Sequence, residues 1–195
     1  MVASDAPALL LPNGRVLLAV AGANTPAQFA EYDPVTNLFV LVGSSAASGF
    51  KPNAARMLML PGGDALVSLG DGRWFDVQIA TAPQPQWAPQ ITTVPTTVNR
   101  GASVFLMGKQ LNGLCEVSSF GHDDQQGENY PIAKLVSSTG TVRYLHTYDV
   151  THRSIAPNHP ALVLVDFPAD LAPGSYTLSA VAMGIASSGV AITLR

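Results

Sequence analysis

Apolar positions in this chain fall in short runs, separated by turn-forming residues, chiefly Gly, Pro, Asn and Ser. No run shows the 3.6-residue period of an amphipathic helix, so the pattern predicts strands and tight turns throughout. One pattern occurs twice. Leu9-Leu-Leu-Pro-Asn-Gly-Arg-Val-Leu-Leu-Ala-Val20 aligns with Leu58-Met-Leu-Pro-Gly-Gly-Asp-Ala-Leu-Val-Ser-Leu69 when Pro12 is set on Pro61, an offset of 49 residues. Each copy reads as an apolar strand, a Pro/Gly hairpin turn and a second apolar strand. The first continues through Phe29–Pro34 and a turn at Val35-Thr-Asn37 into Leu38–Val42, which completes four strands. The second is legible as far as its third strand, Trp74–Ile79.

Ala82-Pro-Gln-Pro-Gln-Trp-Ala-Pro89 then places three prolines in eight residues, which removes ladder donors and stiffens the chain as a spacer. Beyond it, strand-like segments recur at Ile91–Val94, Ser103–Met107, Glu116–Phe120, Tyr130–Val136, Val142–Tyr148, Ala161–Phe167, Ser175–Ala182 and Val190–Leu194. Short strands at this spacing predict an immunoglobulin-like sandwich. The expected organisation is all-β. Residues 1–81 form two propeller-type, four-stranded units, 82–89 a Pro-rich spacer, and 90–195 an immunoglobulin-like domain.

These segments resemble the C-terminal portion of galactose-oxidase-like kelch proteins. Gly108-Lys-Gln-Leu-Asn-Gly-Leu114, Phe120-Gly-His-Asp-Asp-Gln125, Asn129-Tyr-Pro131, Pro173-Gly-Ser-Tyr-Thr-Leu178 and Gly184-Ile-Ala-Ser-Ser188 look like that family's "early set" (E-set) domain. Tyr32-Asp-Pro34 and Met57-Leu-Met-Leu-Pro61 look like its last kelch-like blades. The family's enzymes use copper with a tyrosyl radical cross-linked to cysteine, and a Tyr-His pair precedes the Pro of a late turn. The corresponding positions here hold Asn53 and Ala54 before Pro61, and Ser4 and Asp5 before Pro12. Cys115 lies in the sandwich rather than in a blade, and only His122 sits where a family ligand falls. The resemblance therefore implies a fold without its redox apparatus, and no cofactor, metal or catalytic residue is expected.

Composition narrows the partners. Charged residues are 12% of the chain, about half the ~25% typical of soluble domains, and the net charge is −3. With ten scattered Lys and Arg there is no stripe on which a nucleic-acid surface could be built. A single cysteine excludes an internal disulfide and a Cys-based zinc site. The longest apolar stretch, Val16–Ala23, is too short for a membrane helix, and Met1–Asp5 has no basic region of a signal peptide. His146, His152 and His159 have neither helical nor strand metal-site spacing, and no Gly-x-Ser-x-Gly elbow is present.

The expected function is a non-enzymatic structural or interaction module, a subunit of a larger assembly such as the surface of a secreted complex or virus particle. Its partner would be another protein or further copies of itself. Two blades leave apolar faces bare, and Phe39, Trp74 and Phe75 are the candidate assembly surface. A carbohydrate-binding or adhesion module is the alternative, with His122, Asp123, Asp124 and Gln125 as the candidate binding loop. A degenerate or fragmentary copper-radical oxidase is the third reading.

Overall fold

The repeated sequence folds twice into the same hairpin. In a computed structural model, which describes residues 5–22, 25–42, 48–114, 118–119, 130–152, 155 and 158–195, β1 (Ala8–Leu10) turns into β2 (Val16–Gly22). The turn is closed by the Leu11 N–H donating to the Arg15 carbonyl (2.8 Å) and the Gly14 N–H to the Leu11 carbonyl (2.9 Å). The meander continues through β3 (Thr25–Asp33) and β4 (Leu38–Val42). Forty-nine residues on, β5 (Arg56–Met59) turns into β6 (Ala65–Ser68) through the equivalent bonds, Leu60 N–H to Asp64 O (2.8 Å) and Gly63 N–H to Leu60 O (2.9 Å). Gly14 and Gly63 both hold positive φ, 88° and 97°, a conformation nearly free for glycine. β7 (Trp74–Val77) pairs with β6.

The second sheet stops there, at three antiparallel strands in the order β5-β6-β7, rather than the four expected. The chain next enters the proline-rich stretch, whose prolines have no N–H to donate to a fourth strand. Both sheets are open, and neither closes on itself.

Two compact units result. One is Met1–Gln84 together with Glu116–Glu128, and the other is Pro85–Cys115 together with Asn129–Arg195. The first unit's larger sheet runs β11-β1-β2-β3-β4, where β11 is Ser118–Ser119. Glu116–Phe120, expected as a sandwich strand, therefore supplies two residues to the first unit. They pair with Leu9 and Ala8 and satisfy the backbone edge that the first hairpin leaves open. The register places Leu9, Leu17 and Phe29 on one face of this sheet, all fully buried. Phe29 stacks on Phe50 with ring centroids 4.9 Å apart. Met57, Met59, Ala65 and Val67 are the buried positions of the smaller sheet, and β5 lies beside β1. Each fully buried Leu or Phe here stabilises the fold by about 1.5–3 kcal/mol.

The second unit contains two sheets around one core. One has the order β14-β15-β10-β8, from β8 (Gln90–Thr93), β10 (Ser103–Lys109), β14 (Thr147–Tyr148) and β15 (Ala161–Asp166). The other has the order β13-β12-β16-β18-β9, from β9 (Thr97–Val98), β12 (Ile132–Ser137), β13 (Val142–Leu145), β16 (Gly174–Ala182) and β18 (Val190–Leu194). β17 (Ile185–Ala186) folds back on β16. Leu106, Val163 and Val165 from the first sheet meet Leu135, Leu178, Ala180 and Ile192 from the second in a single buried cluster.

The segment Val142–Tyr148, expected as one strand, changes sheets. β13 pairs with β12, and after His146 β14 pairs with β15. The switch is held by the Asp166 N–H donating to the His146 carbonyl (3.0 Å) and by the buried Thr147 hydroxyl donating to the Pro131 carbonyl (2.5 Å).

Candidate interaction surface

The most apolar exposed element is β4, and its position follows from the hairpin before it. Asp33 ends β3 and folds its carboxylate over the turn, accepting from the N–H groups of Val35 (2.9 Å) and Thr36 (3.3 Å). The Val35 bond, ahead of the smaller contributions of Thr36 and Arg15, holds the Asp33 carboxyl below its ordinary pKa. Asn37, at φ 56°, completes the turn, and the Tyr32 hydroxyl donates to its side-chain oxygen (3.0 Å). Returning antiparallel, the chain lays Phe39 against Tyr32, rings 4.8 Å apart.

β4 is the last strand of its sheet, and no strand of the described residues pairs with its outer edge. Leu38, Phe39, Val40 and Leu41 are 61%, 51%, 56% and 50% exposed. The nearest charges, Arg15 with Glu31 (3.3 Å) and with Asp33 (3.5 Å), pair among themselves on neighbouring positions.

The three aromatic residues singled out from the sequence do not form one patch. Phe39 is on β4 of the larger sheet, whereas Trp74 and Phe75 begin β7 of the smaller one. Trp74 is 64% exposed. Its neighbour Phe75 points to the opposite face, in register with the buried Val67 and Met57, and is half-buried. The loop His122, Asp123, Asp124 and Gln125 lies outside the described residues, as does Cys115.

Strand pairing also assembles a polar cluster that the linear sequence conceals. Ser103 on β10 faces Asp166 on β15, and the Ser103 hydroxyl donates to one carboxylate oxygen (2.5 Å). The other oxygen lies 3.1 Å from His146 Nδ1, and the His146 ring stacks on Tyr148 at 5.3 Å. The Ser103 hydroxyl first, then the imidazole, holds the Asp166 carboxyl below its usual pKa. On the same sheet face Phe105 and Met107 stand opposite Leu164 and Leu162, and Phe105 is 59% exposed. The hydroxyl bonds the carboxylate rather than the imidazole, so this is not the arrangement by which a base activates a serine. What could have revealed the cluster is the single polar residue at one end of each apolar run, Ser103 before Val-Phe-Leu-Met107 and Asp166 after Leu162-Val-Leu-Val, which stand opposite once the two strands are known to pair antiparallel.

His152 and His159 approach with ring centroids 5.8 Å apart, beside Asn112, whose side-chain amide donates to the His152 carbonyl (2.6 Å). Among the described residues no group of three or more His, Cys, Asp or Glu is placed to hold a metal ion. No helix of the described chain is long and apolar enough to cross a membrane.

No protein-family model and no curated protein sequence matches the chain, so the kelch resemblance of its motifs has no counterpart there. Among solved structures it is similar to the Lin-41 filamin domain, with 16% identity and a TM-score of 0.31 over 55% of this chain and 91% of that one.

Proposed function

We propose that the chain is a non-enzymatic interaction module, a structural subunit whose first unit is covered by protein in an assembly. The observation that carries this reading is β4, an uncharged strand with four consecutive apolar side chains at least half exposed. Isolated exposed apolar residues are ordinary, but a contiguous run of them at a sheet edge is a liability unless a partner covers it. In the same proposal, the duplicated hairpin sheets are kelch-like, propeller-type units and the second unit is an immunoglobulin-like E-set sandwich. The identical turn bonds of the two hairpins support the first assignment. The second is supported by Tyr176, whose hydroxyl donates to the Ala172 carbonyl (2.8 Å) in the manner of the corner tyrosine of immunoglobulin sandwiches. Low charge suits a place in the shell of a secreted complex or virus particle.

Light scattering over a wide concentration range tests the reading. The wild-type chain is expected to exceed its monomer mass of 20.3 kDa. Phe39→Glu should lower that mass with the circular dichroism unchanged. A wild-type chain that stays monomeric throughout, and whose Trp74 and β4 surfaces take up no partner protein, would overturn it.

A carbohydrate-binding reading is favoured by one specific feature, the exposed Phe105 ring on a sheet face that also presents His146, Tyr148 and Asp166. Sugar rings stack on such aromatic faces while carboxylates accept hydrogen bonds from their hydroxyl groups. Glycan binding lost in Phe105→Ala would establish it, and no binding across a broad glycan panel would remove it.

A further inference from the structure

We infer that the partner at β4 is a second copy of this chain, paired antiparallel along the free edge of β4 and two-fold about Val40. The inference rests on the interaction-module reading and names its partner. Four observations carry it.

First, β4 ends its sheet, so alternate backbone N–H and C=O groups along Leu38–Val42 face outward with no strand beside them among the described residues. An extended segment is the partner that satisfies such a row. Second, the edge lacks the usual protection. Leu38-Phe-Val-Leu-Val42 contains no Lys, no Pro and no charge, and its pairing with β3 is free of bulges.

Third, exposure is shared by both faces. Leu38 and Val40 point to one side of the sheet and Phe39 and Leu41 to the other, all at least half exposed. A body docking face-on would cover one set only, whereas a strand added alongside shields both.

Fourth, the strand is complementary to itself. About a two-fold at Val40, that residue meets its own copy, Phe39 meets Leu41, and Leu38 meets Val42, so every opposed pair is apolar. Asp33, beside Leu38 on β3, then stands at opposite ends of the two copies, while Glu31, beside Val40, is paired with Arg15 of its own copy and lies three strand spacings, about 14 Å, from its counterpart. The four half-exposed residues and the partly exposed Val42 supply about 400–500 Å2 per copy, below the ~800 Å2 of a standard interface, so the dimer should be weak and concentration-dependent, in the micromolar range.

Cross-linking reads the register directly. Opposed residues in an antiparallel pair have Cα atoms about 4.5–5.5 Å apart, within disulfide reach, while positions four residues out of register are about 14 Å apart. In a Cys115→Ser background, Val40→Cys should form a disulfide dimer under mild oxidation. Leu38→Cys alone should not, and neither should Val42→Cys alone, but a mixture of the two should cross-link. Val40→Lys sets like charges against each other on the two-fold and should weaken self-association at least tenfold. Because Val40 is exposed in the monomer, the circular dichroism should be unchanged.

If wild type assembles but Val40→Lys leaves its mass unaltered and Val40→Cys stays monomeric on non-reducing gels, edge pairing is overturned and the interaction-module reading survives. If wild type is monomeric at every concentration yet binds another protein, the second copy is likewise overturned. If it is monomeric and binds none, both readings fall. Self-linking of Leu38→Cys as efficient as that of Val40→Cys would indicate random collision and overturn the register.

Discussion

Gly108 leaves no room for a side chain. A Cβ built there would lie 2.5 Å from the Gln90 carbonyl oxygen and 2.7 Å from a Leu111 methyl. Its φ is outside the left-handed region, so the demand is for space, created where β8 shifts register against β10 between Met107 and Gly108. Gly108→Val should cost about 1–3 kcal/mol by overpacking, read as a lower urea midpoint with an unchanged slope. Asp166 makes a different demand, on pH. Its folded-state pKa is lowered, so its contribution to stability is present above the unfolded-state value of about 3.9 and is lost as pH falls through the folded-state value. Wild type should therefore be more stable than Asp166→Asn near neutrality, and the two should converge under acid. Melting curves from about pH 6 down to pH 2.5 will show whether they do. A constant gap at all pH values would mean that the carboxylate's charge plays no part.

Elements differ in how much of their structure could be read beforehand. The duplicated hairpin was legible because the Pro-x-Gly and Pro-Gly-Gly turns dictate it locally, and the two turns close with the same hydrogen bonds. Strand positions in the second unit were legible for the same reason, since each is bounded by turn residues. Pairing was not. Nothing in Val142–Tyr148 reveals that the run leaves one sheet at Leu145 and joins the other at Thr147, because burial alternates without a break through the switch, with Leu145 and Thr147 buried and His146 exposed between them. The destination of Ser118–Ser119 was equally hidden, since edge pairing uses backbone groups that every sequence carries. β16 is the element on which the sandwich core most depends, as it lies between β12 and β18 and buries five consecutive residues from Leu178 to Ala182. Leu178→Ala, at a fully buried position, should cost about 2–5 kcal/mol. Leu162→Ala, half-buried on the other sheet's outer face, should cost markedly less, and urea unfolding of the pair measures the contrast.

For the molecule as a whole, the candidate surface was only partly legible. An apolar run such as Leu38–Val42 reads as interior on both faces, and sheet order, a property of the assembled chain, makes it an edge. The dispersal of Phe39, Trp74 and Phe75 over two sheets has the same origin. The end of the chain carries a consequence of another kind. β18 runs parallel to β9, and the two are joined by Thr193 N–H to Thr96 O (2.8 Å) and Arg195 N–H to Val98 O (3.0 Å), with Arg100 N–H closing onto the Arg195 carbonyl (3.1 Å). When the second unit is pulled from its two ends, the parallel pair of β9, the second strand of the unit, and β18, its last, is loaded lengthwise. Their hydrogen bonds must then fail together rather than peel apart in turn. The sandwich should thus behave as a mechanical clamp. Single-molecule stretching should record a force peak for this unit that drops when Thr193→Pro removes one of the shared donors, and a peak unmoved by that change would place the resistance elsewhere.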